Sequence, residues 1–195
     1  MKELKKYLLF GLGLMIFGFG ISFGNKSFLG ANPMGVLVYG LSMRLAISIG
    51  TGNLLVGLFE TAFGYLLEKK NVTWATIIGM FCGSYAIDLA NAIVPDSTSM
   101  TVRVIYMLAG MACYCFGVAL QLEAGCGYSN LDCFIFGIAR LLGIKEYHRV
   151  RWLVDGAFLV SGWLLGGIIG VGSVLLIFGS GLLIEWFREL ISRMK

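Results

Sequence analysis

Four charged side chains lie inside apolar segments of the chain, where an unpartnered charge would be costly. Arg44 and Arg140 stand toward the ends of two short apolar runs, and Glu60 and Asp155 stand in the runs that follow. A charge within a bilayer costs at least about 2.5 kcal/mol, so each should face protein or water and find a partner. We therefore expect two buried ion pairs, Arg44 with Glu60 and Arg140 with Asp155, which either fix helix packing or relay a transported ion. An alternative for Arg44 is extension of its long side chain to the membrane surface.

A second set of acids lies near the ends of two later apolar runs. Asp88 is surrounded by apolar residues, interrupted by Ser84 and Asn91, which favours a buried polar site. Glu185 directly precedes Trp186, as expected for a residue at the membrane interface. Asp88 is therefore the candidate binding residue of the two.

The starts of the two short apolar runs carry residues that cap helices. Asn32 followed by Pro33 is typical of an N-cap and a first helical position, and Ser129 with an acid three residues later is a variant capping box. Helix N-termini expose N–H donors and a partial positive charge, so two such ends below the membrane surface would bind an anionic or carbonyl group. The alternative is a pair of ordinary caps at the membrane surface. The candidate binding residues are Gly30, Asn32, Gly127, Ser129 and Asp132.

No arrangement typical of an enzyme is recognisable in the sequence. It lacks a nucleophile–histidine–acid set, an HExxH motif, a P-loop and a dinucleotide-binding glycine motif after a strand. The five cysteines include no CxxC pair, and there is one histidine. We therefore expect no enzymatic activity, no cofactor and no metal site. The net charge of +4, spread over tails and short loops, does not favour nucleic-acid binding.

The composition indicates a membrane environment. The chain is 58% hydrophobic and 13% charged, about half the charged share of a soluble domain. Glycine contributes 28 of 195 residues, and it stands within apolar runs, where small residues allow close helix contact in lipid. These features predict an all-α integral membrane protein whose main partner is the lipid bilayer.

An offset of 97 residues aligns the chain with itself without gaps. At this offset four glycines fall on glycines, and Asp88 falls on Glu185. The match predicts two four-helix units, residues 1–97 and 98–195, in one membrane domain. The predicted helices are Lys6–Gly24, Pro33–Ile47, Asn53–Leu67 and Thr73–Val94 in the first unit, and Val102–Leu122, Leu131–Ile144, Arg151–Leu165 and Gly167–Phe187 in the second.

The charges predict the orientation of these helices. If all eight cross the membrane from a cytoplasmic N-terminus, the basic residues left outside are Lys26, Lys69 and Lys70, in agreement with the positive-inside rule. An even number of passes in each unit makes the repeats parallel. We therefore expect two parallel repeats, about eight transmembrane or partly re-entrant helices, and both termini in the cytoplasm. The second and third helices of each unit are short for a core of about 30 Å, so a six-pass arrangement with re-entrant helices stays open.

Three stretches of the sequence resemble one known family. Gly30–Ser42, Ser48–Asn53 and Gly170–Val174 are similar to the bacterial YczE/YyaS/YitT family, most closely to its YczE branch, over about residues 10–187. The resemblance implies a bacterial cytoplasmic-membrane protein and little about its activity. Members often have an aspartate two residues after the proline, where this chain has Gly35; Asp132 holds the equivalent place in the second unit. If that aspartate is functional, the site should be asymmetric.

These observations favour a transporter or channel-like carrier for a small solute, with its site between the two units. The alternative is a non-transporting membrane protein that stabilises or recruits a partner. It would be indicated by a dry interior with every buried charge paired, and by an exposed apolar or basic cytoplasmic face around residues 145–151 that contacts the partner through Arg149 and Arg151. The sequence does not indicate a substrate, a coupling ion or an oligomeric state.

Overall fold

The computed structural model describes residues 2–144 and 146–193. Within these ranges the chain is helical and contains no strand. Its eight α-helices are α1 Lys2–Ser27, α2 Pro33–Leu45, α3 Ile49–Leu67, α4 Trp74–Ile93, α5 Met100–Ala124, α6 Asn130–Leu142, α7 Tyr147–Leu164 and α8 Val171–Arg193. The prediction of an all-α protein with eight helices is confirmed.

Three helices begin about one turn earlier than predicted, and the first is α1, which begins at Lys2 instead of Lys6. α3 begins at Ile49 instead of Asn53, because the Ser48 hydroxyl accepts the N–H of Thr51 and caps the helix. α7 begins at Tyr147, one turn before the predicted start. The extra turn places Arg151 inside α7 instead of at its first position.

The centre of the bundle is a close antiparallel pair of helices, α1 and α5. Gly13 faces Gly117 and Gly24 faces Gly110, so residues early in α1 meet residues late in α5. A Cβ atom on Gly13 would lie 2.9 Å from the carbonyl oxygen of Gly117, and one on Gly110 would lie 2.8 Å from the nitrogen of Gly24. The backbones therefore approach more closely than larger side chains allow, as small residues permit in lipid.

In the first half of the chain, α4 runs parallel to α1. Phe10 lies beside Gly79 near the start of both helices, and Ser22 donates a hydrogen bond to Asn91 over 3.5 Å near their ends. The contacts therefore advance in the same direction along the two helices.

α3 runs in the opposite direction along α4. The Gly50 N–H donates to Asp88 over 2.7 Å at one end, and Thr61 lies beside Met80 toward the other. A bend of 116° separates α2 from α3. The short helices pack across the two halves of the chain, α2 against α7 and α6 against α3.

In the second half, α8 runs parallel to α5. Cys115 lies beside Ser180, and Glu123 pairs with Arg188 over 3.4 Å. Since α1 and α5 are antiparallel, the helices at corresponding places of the two halves run in opposite directions. The prediction of two parallel repeats is therefore wrong. It assumed that every helix crosses, but α2 and α6 have 13 residues each, about 20 Å, against a core of about 30 Å.

Three helices in the described part of the chain are long and apolar enough to cross a membrane. These are α1, α4 and α5, and the bent pair of α2 and α3 would add a fourth span if it crosses as one unit. The prediction that all eight helices cross separately is therefore not supported by their length and composition. The same properties do support the membrane character of the bundle.

α1 begins and α8 ends at the same end of the bundle, because Leu9 and Ile191 pack into one apolar cluster. We call this the terminal end and the opposite one the distal end. α4 is parallel to α1, so the turn before α4 also lies at the terminal end. Lys69 and Lys70, which were expected on the opposite side from the N-terminus, are in this turn.

Two glycine substitutions on α1 test the central contact. A Cβ atom at Gly20 would meet the backbone nitrogen of Tyr114, whereas one at Gly11 would meet no atom within 4 Å. Overpacking costs about 1–3 kcal/mol, so Gly20→Ala should lower the free energy of unfolding by about 2 kcal/mol. Gly11→Ala is the matched control and should leave it unchanged or slightly raised, because alanine favours helix. Unfolding in detergent measures both, and equal effects would contradict the close contact.

Candidate functional site

A cavity of about 120 Å³ lies between the two halves of the chain. Its apolar wall comes mainly from α1, α4 and α5, and most of its polar groups come from the short helices and the helices beside them. A largely apolar pocket with a few converging polar groups is the usual form of a small-molecule site. Its polar lining residues include Asn32, Asn53, Thr76, Tyr114, Gln121, Ser129, Asn130, Asp132 and Arg151.

Both short helices begin at this cavity. The Asn32 side-chain oxygen accepts the N–H of Gly35 over 2.9 Å, and the Ser129 hydroxyl accepts the N–H of Asp132 over 3.1 Å. The partial positive charge at each helix start is therefore close to the cavity. Four of the five residues predicted at these starts line it, namely Asn32, Gly127, Ser129 and Asp132.

A group of three charges lies at the cavity wall. Arg151 on α7 is 3.8 Å from Asp132 on α6 and 3.6 Å from Asp155, one turn further along α7. The exposed fractions of these side chains are 31% for Arg151, 17% for Asp132 and 16% for Asp155. The guanidinium group is thus held inside the bundle between carboxylates from two helices.

The predicted pair of Arg140 with Asp155 does not form. Arg140, in the last turn of α6, donates to the Leu67 carbonyl oxygen over 3.3 Å and lies 4.0 Å from Glu68. Asp155 pairs with Arg151 instead. Arg151 and Asp155 are one helical turn apart on the same face of α7, whereas Arg140 lies beside the end of α3.

The predicted pair of Arg44 with Glu60 does not form either. Glu60 is fully buried; one of its oxygens accepts the side-chain N–H of Asn130, and the other has no partner in the described part of the chain. Arg44 is exposed in the last turn of α2. Glu60 lies 11 residues beyond Ile49, where α3 begins, about 16 Å along the helix. The two residues are therefore separated along the bundle axis, and Arg44 extends outward.

Asp88 caps a helix instead of lining the cavity. Its carboxylate accepts the Gly50 N–H over 2.7 Å and the Ser48 hydroxyl over 2.6 Å. Both donors belong to the start of α3, where a negative charge is stabilised by the free N–H groups and the helix dipole. Asp88, a predicted binding residue, therefore lies outside the cavity and stabilises the start of α3.

Replacing Asp88 tests this capping role. Asp88→Asn removes the charge and one of two strong acceptors at the start of α3, so it should lower the free energy of unfolding by about 1.5 kcal/mol. Glu189→Gln, on an exposed carboxylate near the end of α8, is the control and should change it by less than about 0.5 kcal/mol. Chemical unfolding in detergent measures both. A loss no larger for Asp88→Asn than for the control would contradict the role.

The structure adds residues that the sequence did not indicate as part of the site. Arg151 was assigned with Arg149 to a basic partner-binding face, yet it lines the cavity. Asn53 also lines it and donates to Ser84 over 3.0 Å. The spacing of Arg151 and Asp155 was an available signal, because four residues apart on a helix is the spacing of an ion pair. Lys145, at the start of the predicted basic face, lies outside the described residues.

The cavity approaches the terminal end of the bundle, where Phe10 and Gln121 line it. At the distal end the chain before α2 is packed onto the start of α8. The Gly172 N–H donates to the Leu29 carbonyl oxygen over 2.8 Å, and a Cβ atom on Gly30 would lie 2.6 Å from the nitrogen of Gly170. Gly30, the fifth residue predicted at the helix starts, therefore belongs to this closure, and the space beside it is about 20 Å³.

One hydroxyl at the distal closure is buried without a partner. Ser173 has no exposed surface, and its Oγ makes no hydrogen bond within the described residues. Thr76, which stands 97 residues earlier, donates from its hydroxyl to the Tyr128 carbonyl oxygen over 2.7 Å. A buried unpaired hydroxyl costs about 1–3 kcal/mol. The Thr76 hydroxyl at the terminal end therefore makes a hydrogen bond that the equivalent Ser173 hydroxyl at the distal end does not make.

The fold and the cavity define an α-helical membrane protein with a partly polar cavity inside the bundle. The chain belongs to DUF6198, a family of unknown function, which it matches over residues 4–189. It is 27% identical over 191 residues to the uncharacterized protein YyaS of Bacillus subtilis, covering 96% of this chain and 94% of that protein. The uncharacterized membrane protein YczE of the same species is 25% identical over 179 residues, covering 90% and 81%.

A third relative is an uncharacterized protein of Haemophilus influenzae, 27% identical over 187 residues, covering 96% of this chain and 84% of that protein. No solved structure matches the chain. These similarities confirm the resemblance to the YczE and YyaS proteins, and the name of YczE supports a location in a membrane.

Proposed function

We propose that this protein is a carrier for a small solute that binds in the cavity between the two halves of the chain. The observation that carries the proposal is a cavity with a few converging polar groups inside a membrane bundle, formed at the starts of two short helices and closed at one end. Short or broken helices whose N-termini meet at a central site are typical of secondary transporters.

The proposal includes two repeats, residues 1–97 and 98–195, that are inverted relative to each other. α2 and α6 begin 97 residues apart and have the same length, and α4 and α8 also begin 97 residues apart. The contact of Gly13 with Gly117 has a counterpart at the same offset in the contact of Gly110 with Gly20. Because α1 and α5 are antiparallel, the axis relating the repeats would lie in the membrane plane.

The proposal also places both termini in the cytoplasm. It has six passes, from α1, α3 and α4 in the first half and from α5, α7 and α8 in the second. Among the described basic residues, those at the distal end are Lys26, Arg44 and Arg103. The others lie toward the terminal end, or at the cavity in the case of Arg151. Under the positive-inside rule the terminal end then faces the cytoplasm of a bacterial cell, and the cavity opens inward.

A carrier must also open its site at the other end. Exchange of conformations between the two halves would release the distal closure and close the terminal end. In the exchanged state the Ser173 hydroxyl would donate to the Ala31 carbonyl oxygen, which occupies the place of Tyr128 in the other half. The unpaired Ser173 hydroxyl supports this exchange, because its hydrogen bond is missing in the present state alone.

Two variants at equivalent positions should shift this equilibrium in opposite directions. Thr76→Val removes the hydrogen bond to Tyr128 in the present state, together with the local capping bond from the Thr73 N–H. Ser173→Ala removes the equivalent long-range bond of the exchanged state. Each bond contributes about 1 kcal/mol, or about fivefold in population. The readout is the rate at which a water-soluble maleimide labels Met107→Cys, at the distal closure, in a protein without its native cysteines. Thr76→Val should raise this rate about fivefold, and Ser173→Ala should lower it by a similar factor.

The chain offers matched controls for this experiment. Phe10 stands 97 residues before Met107 and lines the open side of the cavity, so Phe10→Cys should be labelled readily in each background. Thr76→Ser keeps the hydroxyl and should leave the labelling of Met107→Cys near the parent rate. Equal labelling of Met107→Cys in all backgrounds, or shifts of both variants in one direction, would contradict the exchange.

The alternative role, a non-transporting protein that recruits a partner, has weaker support. It called for a dry interior with every buried charge paired, but the described interior holds a cavity that polar side chains partly line and a Glu60 oxygen without a partner. It also called for Arg151 at a cytoplasmic contact face. In the structure this side chain is engaged by Asp132 and Asp155 instead.

A further inference from the structure

The charges on the cavity wall restrict the chemistry of its ligand. Asp132 and Arg151 both line the cavity, and the nearest oxygen and nitrogen of the pair are 3.8 Å apart. A closely hydrogen-bonded pair of this kind is about 2.8 Å apart. Each side chain has a second anchor: Arg151 Nε lies 3.6 Å from Asp155, and the other oxygen of Asp132 accepts the Ser129 hydroxyl over 2.8 Å. Both charges are therefore held in place beside each other without a tight bond between them.

A ligand with one charge fits this pair poorly. A cation at Asp132 would draw the carboxylate away from Arg151, and an anion at Arg151 would compete with the two carboxylates already beside it. Separating a buried pair leaves one charge without compensation, which is strongly unfavourable in a low-dielectric interior. A ligand that brings both charges avoids this cost, because each protein charge gains a new partner.

We propose that the ligand is a small zwitterion with adjacent ammonium and carboxylate groups and an apolar remainder, such as an apolar α-amino acid. The ammonium group lies against Asp132 and the carboxylate against Arg151. This inference rests on the proposed function and names its substrate class. The anionic group expected from the sequence becomes one half of the ligand's charged end.

The apolar remainder of the ligand has a matching surface. Leu14 and Phe17 of α1 and Val118 of α5 line the same cavity. The cavity volume of about 120 Å³ is close to the roughly 150 Å³ that holds a benzene molecule in an engineered protein cavity. The volume therefore limits the apolar remainder to a few carbon atoms, as in the four-carbon side chain of leucine.

Three probes with nearly the same carbon skeleton distinguish the contributions of the two ligand charges to binding. Leucine carries both, 3-methylbutylamine carries the positive charge alone, and 4-methylpentanoate carries the negative charge alone. The measurement is the thermal unfolding midpoint of the full chain in detergent at equal concentrations of each probe. Leucine should raise the midpoint by about 5 °C at roughly hundredfold excess over its Kd. Each singly charged probe should give less than half of that shift.

One variant pair locates the effect. Asp132→Asn should abolish the leucine shift, whereas Asp96→Asn, on a carboxylate whose side chain is 82% exposed in a loop, should leave it unchanged. The probe comparison itself uses the unaltered protein, so it does not depend on the folding of a variant. An equal shift from either singly charged probe, or no shift from leucine, would overturn the inference. The labelling of Met107→Cys needs no ligand, so it tests the carrier proposal independently of the ligand class.

Discussion

Gly13, Gly20, Gly110 and Gly117 bring the backbones of α1 and α5 into contact, and the rest of the bundle is arranged around this antiparallel pair. Lipid tails are as apolar as the side chains, so close packing must supply much of the attraction between helices. α4 packs on α1 and α8 packs on α5. The short helices begin beside the pair, and the gap between their starts is the cavity.

Polar groups in this bundle are placed where a second group compensates them. Asp88 is compensated by the start of α3, and Arg151 by two carboxylates. Asn25, Glu60 and Ser173 are the exceptions among the described residues, since each keeps one buried polar atom without a partner. Such groups are costly, and each calls for an explanation. For Ser173 the proposed exchange supplies one.

Local features of the fold could be predicted from the sequence. Caps depend on a few neighbouring residues, so Asn32 with Pro33 and Ser129 with Asp132 indicated the starts of α2 and α6 within one residue. The apolar composition indicated the membrane, and the glycines indicated close helix contact. The cavity between the halves was also expected at the two caps.

Features that depend on relative placement could not be predicted. The partner of Arg140 depended on how α6 packs against α3, and it is Glu68 instead of Asp155. The position of Asp88 relative to α3 depends on how two helices are aligned. The direction of the second half depended on whether α2 and α6 cross the membrane. Charge counts agreed with the eight-pass arrangement because Lys69 and Lys70 exchange sides with Arg44 and Arg103 between the two arrangements.

Distances between spin labels at the two ends of the bundle test the central claim most directly. In a protein without native cysteines and in lipid nanodiscs, one labelled pair would be Phe28→Cys with Val171→Cys at the distal end, and the other Trp74→Cys with Tyr128→Cys at the terminal end. All four positions are exposed. If the two halves are inverted and exchange conformations, each labelled pair should show a long and a short distance. The fraction of molecules with the long distance at one end should equal the fraction with the short distance at the other. A single distance at both ends, or ends that separate together, would contradict the account.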